Sequence, residues 1–268
     1  MLKPILILTA TSFLAVAVFA SSSQDQKILA SARRTQLEFR AGNLEVAKPL
    51  VKLLEDATAK SRKNAELWEA LGFAYMSLQG SMYAGPPDMP SLISAGERAR
   101  DAFGRSLALN PKRPLVRAGH GMAQMVVSQL KGDGPGLMAG LEEMNAAVRE
   151  APKSTGVRLT RGLTIVHLPP DMRDNNAVTE DFRHILDTAP GGRPEDVLHV
   201  LLGDVYAEVG DLKAARAEYE QVTGASAFAA EQAKLRLKGG PVSPDAIAAV
   251  RMGAGTQCAM CHAPGTDN

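Results

Sequence analysis

The chain has 268 residues, of which 45% are hydrophobic and only 4% are aromatic. This length is sufficient for one or two globular domains with a substantial core, and few aromatic residues are typical of helical arrays that pack through small side chains. The 30 basic residues nearly balance the 29 acidic ones, so the overall charge gives no basis for binding nucleic acid or an anionic membrane surface.

The N-terminus has the organisation of a secretory signal peptide, which we place at residues 1–20. Lys3 supplies a positive charge, residues 4–19 form an apolar run, and small residues precede Ser21. The run is short for a membrane-spanning helix, which favours cleavage over retention as an uncleaved anchor. We therefore expect an exported, periplasmic protein that has no other membrane segment.

Beyond this segment, apolar and small residues recur with helical periodicity and are separated by turns rich in Gly, Pro and Asn. The predicted helices form about five pairs, followed by a further amphipathic helix. The predicted ranges are 27–40 with 44–59, 65–78 with 95–109, 114–131 with 137–150, 154–167 with 177–188, the fifth pair within 195–222, and the last helix over 225–237.

Residues 79–94 separate the two helices of the second pair, where a short turn would be expected. Pro86, Pro87 and Pro90 predict that this insertion is not helical. An insertion of this length is tolerated as a surface loop, although long loops are often functional. We expect either a plain surface loop or a segment that folds over the concave face and meets a partner or the C-terminal tail.

Two of the predicted pairs share a motif of small and aromatic residues. In the second pair it comprises Trp68, Leu71, Gly72, Tyr75, Ala99, Phe103, Ser106 and Pro111, and in the fifth pair Leu202, Gly203, Tyr206, Gly210, Ala215 and Tyr219. The motif resembles the tetratricopeptide repeat (TPR), in which a small residue lies where two helices touch. The resemblance implies an all-α solenoid of about five hairpins and a capping helix over residues 21–237, which binds a protein partner in its concave groove.

Residues 238–268 are predicted to be a linker and a tail. The linker contains two consecutive glycines and a proline, and Ser243 can N-cap a short helix that begins at Pro244 and ends near Met252. The sequence then reads Cys-Ala-Met-Cys-His over residues 258–262, which is a C-x-x-C-H motif.

C-x-x-C-H is the attachment motif of c-type haem. Cys258 and Cys261 are the only two cysteines in the chain, and their spacing allows both thiols to add to the vinyl groups of one porphyrin. His262 would coordinate the iron. An exported location suits this chemistry. The local sequence resembles the start of a small cytochrome c domain, which implies one covalently attached haem c that transfers electrons.

Only six residues follow His262, so the tail cannot build the haem-enclosing domain of a small cytochrome c. A sixth iron ligand would come from Met252, from another chain, or from a histidine of the array. The histidine candidates are His120, His167, His184 and His199. An open sixth position is the other possibility, and it would favour ligand binding or a peroxidase-like activity.

Two other interpretations of the motif remain open: a disulfide or thiol pair between Cys258 and Cys261, and a metal site that needs a fourth ligand. On either interpretation the protein would be a haem-free interaction module, for example in the maturation of cytochromes c or envelope complexes. Its partner would be a redox protein or an apocytochrome. The sequence shows no Ser-His-Asp arrangement, phosphate loop or paired carboxylates, so enzyme activity is expected only if the tail haem has an open position.

Other residues of chemical interest are predicted to be structural. His199 occupies the position that Trp68 has in the second pair, which favours a packing role. Four methionines at helical spacing are expected to fill the core rather than to bind a cofactor. They are Met122, Met125, Met138 and Met144.

Overall fold

A computed structural model describes residues 22–38, 44–82, 88–169, 171–188 and 193–239. Within these ranges the chain forms eleven α-helices and no strand. The helices are α1 (Ser23–Glu38), α2 (Leu44–Lys60), α3 (Ala65–Met82), α4 (Met89–Leu109), α5 (Pro114–Lys131), α6 (Gly134–Glu150), α7 (Thr155–Ile165), α8 (Asn175–Thr188), α9 (Arg193–Glu208), α10 (Leu212–Glu220) and α11 (Ala227–Leu237). The predicted all-α architecture is confirmed, and most helix boundaries differ from the predicted ones by a few residues.

The helices form two layers. Each odd-numbered helix from α1 to α9 packs against the even-numbered helix that follows it. The backbones of the odd-numbered helices also approach one another, in the pairs α1 with α3, α3 with α5, α5 with α7 and α9 with α11, whereas the backbones of the described even-numbered helices stay farther apart. Side chains bridge α2 to α4 and α8 to α10. The odd-numbered helices therefore form a closely spaced inner layer and the even-numbered helices an outer one, which is the arrangement of an α-solenoid.

Glycines allow the two layers to approach each other closely. The buried ring of Phe103 in α4 lies between Gly72 in α3 and Gly119 in α5, and a Cβ atom on these glycines would lie 2.5 and 2.9 Å from ring atoms. Gly162 faces Phe182, and Gly203 faces Tyr219, in the same way. One glycine–aromatic contact thus recurs in three of the five hairpins, as the resemblance to the tetratricopeptide repeat implies.

Carboxylates near the start of inner helices hold the turns that lead into the next inner helix. Asp25 accepts hydrogen bonds of 3.0 Å from the side chains of Ser61 and Asn64, just before α3. Asp196 accepts bonds of 2.7–3.1 Å from three backbone N–H groups within residues 223–226, just before α11. Burial opposes the ionisation of Asp196, but these bonds outweigh it and lower its pKa. Both turns are therefore fixed by charge-assisted hydrogen bonds.

The prediction that residues 79–94 form a non-helical insertion is wrong for most of the segment. Helix α3 continues to Met82, and α4 begins at Met89 instead of Ala95. Pro90 lies in the first turn of α4, where a missing N–H costs nothing. The buried Gln79 side chain donates a 2.8 Å hydrogen bond to the carbonyl of Leu92, which joins the two extended helices. Residues 83–87 lie outside the described ranges, so the predicted contact with a partner or the tail is untested.

The methionine predictions are confirmed in part. Met125 and Met144 are buried in the core, and Met122 packs against it. Met138, in contrast, is among the exposed hydrophobic side chains of the array. Helical spacing alone did not distinguish it from the buried methionines.

The glycine–aromatic contact predicts opposite effects of two alanine substitutions in α3. Gly72→Ala should lower the free energy of unfolding by about 1–3 kcal/mol, because the buried Phe103 ring is confined on both sides and cannot give way. Gly80 lies in the same helix, and no atom lies within 4 Å of a Cβ added there. Gly80→Ala should therefore raise the free energy of unfolding by about 0.5–1 kcal/mol. Urea unfolding followed by circular dichroism measures both. Equal effects of the two substitutions would contradict the proposed packing.

Candidate binding cleft on the outer layer

The residues predicted to bind haem lie outside the described part of the chain. Cys258, Cys261, His262 and the possible ligand Met252 all follow residue 239, and the predicted signal peptide likewise precedes the first described residue. Within the described ranges, no group of three or more His, Cys, Asp or Glu side chains is arranged to hold a metal ion. No described helix is both long and apolar enough to cross a membrane.

His120 is the histidine of the array with the most ligand-like surroundings. Its Nδ1 atom lies 2.6 Å from a carboxylate oxygen of Glu143 across the α5–α6 hairpin. On the α4 side it faces Gly104, whose added Cβ would lie 3.8 Å from Nε2. A carboxylate on Nδ1 orients an imidazole and leaves Nε2 as the ligating atom. This geometry is compatible with the predicted ligand role, although among the described residues His120 belongs to no group of three or more His, Cys, Asp or Glu side chains that could hold a metal ion.

The other three histidines have different surroundings. His199 is buried, and its Nδ1 lies 2.9 Å from Glu218, so the predicted packing role is accompanied by a polar contact. The Nε2 atom of His184 lies 3.3 Å from a backbone carbonyl oxygen. His167 is exposed just after the end of α7.

A cleft of about 350 Å³ opens on the outer layer between α2 and α4, and α3 forms its floor. Trp68, the only tryptophan of the chain, lies on this floor two turns before Tyr75. The guanidinium of Arg105 stacks over the Trp68 ring at 5.0 Å, a distance at which cation–π attraction is significant. The indole N–H donates a 2.9 Å hydrogen bond to the carbonyl of Arg62, which fixes the ring. The remaining lining residues are Glu55, Thr58, Ala59, Leu71, Arg98, Asp101 and Ala102.

The other end of the cleft contains a network of three polar side chains. The Tyr75 hydroxyl donates a hydrogen bond to Glu55, and Arg98 donates to the Tyr75 oxygen at 3.2 Å and to Glu55 at 3.3 Å. Burial, and secondly the bond to Glu55, raise the pKa of Tyr75, while Arg98 opposes the shift. The network therefore keeps the phenol protonated and its hydroxyl directed at the carboxylate.

Polar side chains fill the corresponding grooves farther along the array. Between α6 and α8, Arg161 donates to Asn145 at 3.0 Å and to the buried Asp181 at 2.7 and 2.8 Å, and Arg158 donates to Asp181 at 2.8 Å. Between α8 and α10, Arg183 and His199 both meet Glu218. Arg158, Arg161, Asp181 and Glu218 are buried, whereas the Arg183 side chain is about half exposed. These grooves therefore contain ion pairs, whereas the cleft of the second hairpin presents an aromatic surface.

The cleft combines an aromatic surface with charges of both signs. Trp68 and Leu71 offer apolar area, while the side chain of Arg105 is exposed and rests on the indole ring. An arginine on an aromatic ring retains its N–H donors for a carboxylate. The arrangement is suited to hold an extended protein segment that presents an apolar side chain beside an acidic one.

No family model matches the sequence, and no curated protein matches it. Solved structures do match. The thermophilic TPR protein TTC0263 from Thermus thermophilus aligns with a TM-score of 0.54 and 16% sequence identity, over 80% of this chain and 96% of that chain. MamA AMB-1 aligns at 0.47 and 17% identity over 77% and 99% of the two chains, and MamA MSR-1 at 0.42 and 18% over 79% and 94%.

The similarity to TTC0263 concerns the fold, because the sequence identity is low. Together with the two-layered helical hairpins, it shows that this chain is an α-solenoid with a TPR-like fold. The sequence motif in the second and fifth hairpins predicted a TPR-like array. This prediction is confirmed at the level of the fold.

The polar network of the cleft predicts opposite shifts of the Tyr75 pKa. Glu55→Gln should lower it towards the ordinary value of tyrosine, because the negative charge that opposes ionisation is removed. Arg98→Met should raise it further, because the favourable cation is lost. The ultraviolet titration curve of each variant is measured with and without the additional substitution Tyr75→Phe. The difference between the two curves is the titration of Tyr75 without the other tyrosines. Shifts of the same sign would show that the network is not formed.

Proposed function

We propose that the protein is an exported scaffold with a TPR-like fold that binds a protein partner and carries one covalently attached haem c for electron transfer. The fold supports the scaffold role, because solenoids present extended surfaces to other proteins. The sequence Cys258-Ala-Met-Cys261-His262 is the single observation that carries the haem assignment.

The array is the partner-binding part of this proposal. Two inner segments are buried without interruption: residues 156–166, in and just after α7, and residues 196–205, in α9. In this part of the array the inner helices therefore belong to the core. The outer cleft presents Trp68 and Arg105 instead. We therefore assign the cleft a partner contact, in addition to the concave groove that the resemblance implies.

The donor set of the tail fits haem c. Cys258 and Cys261 would hold the group, because two thiols separated by two residues can each add to one vinyl group, and the adjacent imidazole of His262 would ligate the haem iron. An attached haem would supply one-electron transfer. The contribution of the array would be to bring a partner close to the tail, because tethering raises the effective concentration of two linked sites.

A haem-free interaction module is the alternative. It would use the same array and the same partner contacts, and its two cysteines would form a thiol or disulfide pair. The two functions differ only in the chemistry of residues 258–262, so one experiment on the tail separates them.

Expression in a host that has haem-attachment machinery should yield a red protein. After denaturation and removal of unbound small molecules, haem absorption should remain with the polypeptide, because thioether-linked haem survives unfolding whereas non-covalently bound haem is released. The variant with Cys258→Ala and Cys261→Ala should lose this absorption and keep the helical circular dichroism of the array, since both substitutions lie outside the described helices. A colourless wild-type protein from this host would exclude the haem function and leave the interaction module.

A further inference from the structure

Helix α11 ends the described array with one face uncovered. The five inner helices α1, α3, α5, α7 and α9 each pack against the outer helix that follows them, whereas no described helix follows α11. Phe228 and Leu235 lie on the uncovered face, with 37% and 49% of their surface exposed. They are seven residues apart, which places them on the same side of the helix two turns from each other.

The opposite face of α11 is firmly held by the array. Ala229 and Ala233 are buried against the core, and Arg236 donates two hydrogen bonds, of 2.5 and 2.7 Å, to Asp204 in α9. This ion pair is buried on both sides. The orientation of α11 is therefore fixed, and its exposed apolar side chains cannot turn inward.

We propose that residues 244–252 dock antiparallel on this face of α11 and complete a sixth hairpin. Ser243 and Pro244 are suited to begin a helix, and Ile247 and Val250 would share one face of it. The intervening residues 238–243 have a length typical of connections between packed helices. Gly239 has a φ of +72°, which ends α11 and turns the chain.

The charges of the two segments are complementary in the antiparallel arrangement. The exposed face of α11 carries Glu231 in its middle and Lys234 near its end. The first turn of the docked segment would place Asp245 beside Lys234, and its last turn would place Arg251 beside Glu231. A parallel arrangement would pair like charges, and the short connection excludes it in any case.

This hairpin deepens the proposed function, on which its consequence for haem rests. Five residues separate Met252 from Cys258, so the six Cα–Cα steps limit the reach of the first thiol from the end of the hairpin to roughly 20 Å. From Gly239 an undocked tail would reach about three times as far. Docking would therefore hold the haem motif beside the last hairpin instead of letting it swing over the whole array.

Amide hydrogen exchange of the full chain tests the proposal. Amides within residues 244–252 should exchange at least about tenfold more slowly than an unstructured peptide. Phe228→Glu with Leu235→Glu should abolish this protection while retaining the protection of α9. Leu212→Glu is the matched control, because Leu212 is 69% exposed and lies at the start of α10, not on α11. A second test reverses charge: Asp245→Lys should reduce the protection, and added Lys234→Glu should restore it.

Fast exchange of residues 244–252 in the wild-type chain would overturn the proposal and leave this face of α11 for a partner protein or a second copy. Protection that survives both glutamate substitutions would overturn it as well, because the segment would then be held elsewhere. The chain with Cys258→Ala and Cys261→Ala should give the same exchange pattern as the wild type. Failure of the haem function and failure of the docking are therefore observed separately.

Discussion

The close approach of three helices around one aromatic ring is the contact on which the rest of this array depends. Phe103 lies between Gly72 and Gly119, and thereby joins both helices of the second hairpin to the first helix of the third. Without a side chain on either glycine, the inner helices lie close enough to contact one another, while the backbones of the described outer helices stay farther apart. The grooves between outer helices follow from this difference in spacing.

The outer grooves differ because of the residues that the inner helices present to them. In α7 the floor carries Arg158 and Arg161, which both donate hydrogen bonds to the buried Asp181, and Arg158 also meets Glu180. Such a buried cluster is costly to break, and its side chains lie in the groove. In α3 the floor carries Trp68 and Tyr75, and the groove stays open with charged groups along its edges. One fold therefore contains both a structural ion cluster and a candidate binding surface at equivalent places.

The sequence was most informative where apolar and small residues determine the structure. The motif around Gly72 and Gly203 predicted two hairpins correctly, because a glycine–aromatic crossing requires these residue types at fixed spacing. The fourth hairpin was predicted from periodicity alone, since Arg158 and Arg161 replace the apolar marks. Their partner Asp181 is 20 or more residues away, and no local pattern reveals that the three charges are buried together.

Two features were missed for identifiable reasons. Pro90 was interpreted as a helix breaker, but its position directly after the first residue of α4, near the cap Asp88, makes it compatible with a first turn. The cleft was not predicted at all, because it depends on Arg105 stacking on Trp68 across two helices. The prediction of a haem site, in contrast, rests on the sequence of residues 258–262 alone. It stays a prediction, because it does not depend on the contacts of the described array.

We have proposed that an exported TPR-like array carries one haem on its C-terminal tail. The intact mass of the protein, purified from the periplasm of a host with haem-attachment machinery, is the most direct test. We expect a chain that begins at Ser21 and carries the added mass of one haem. A chain that retains residues 1–20, or one whose mass is that of the polypeptide alone, would contradict it.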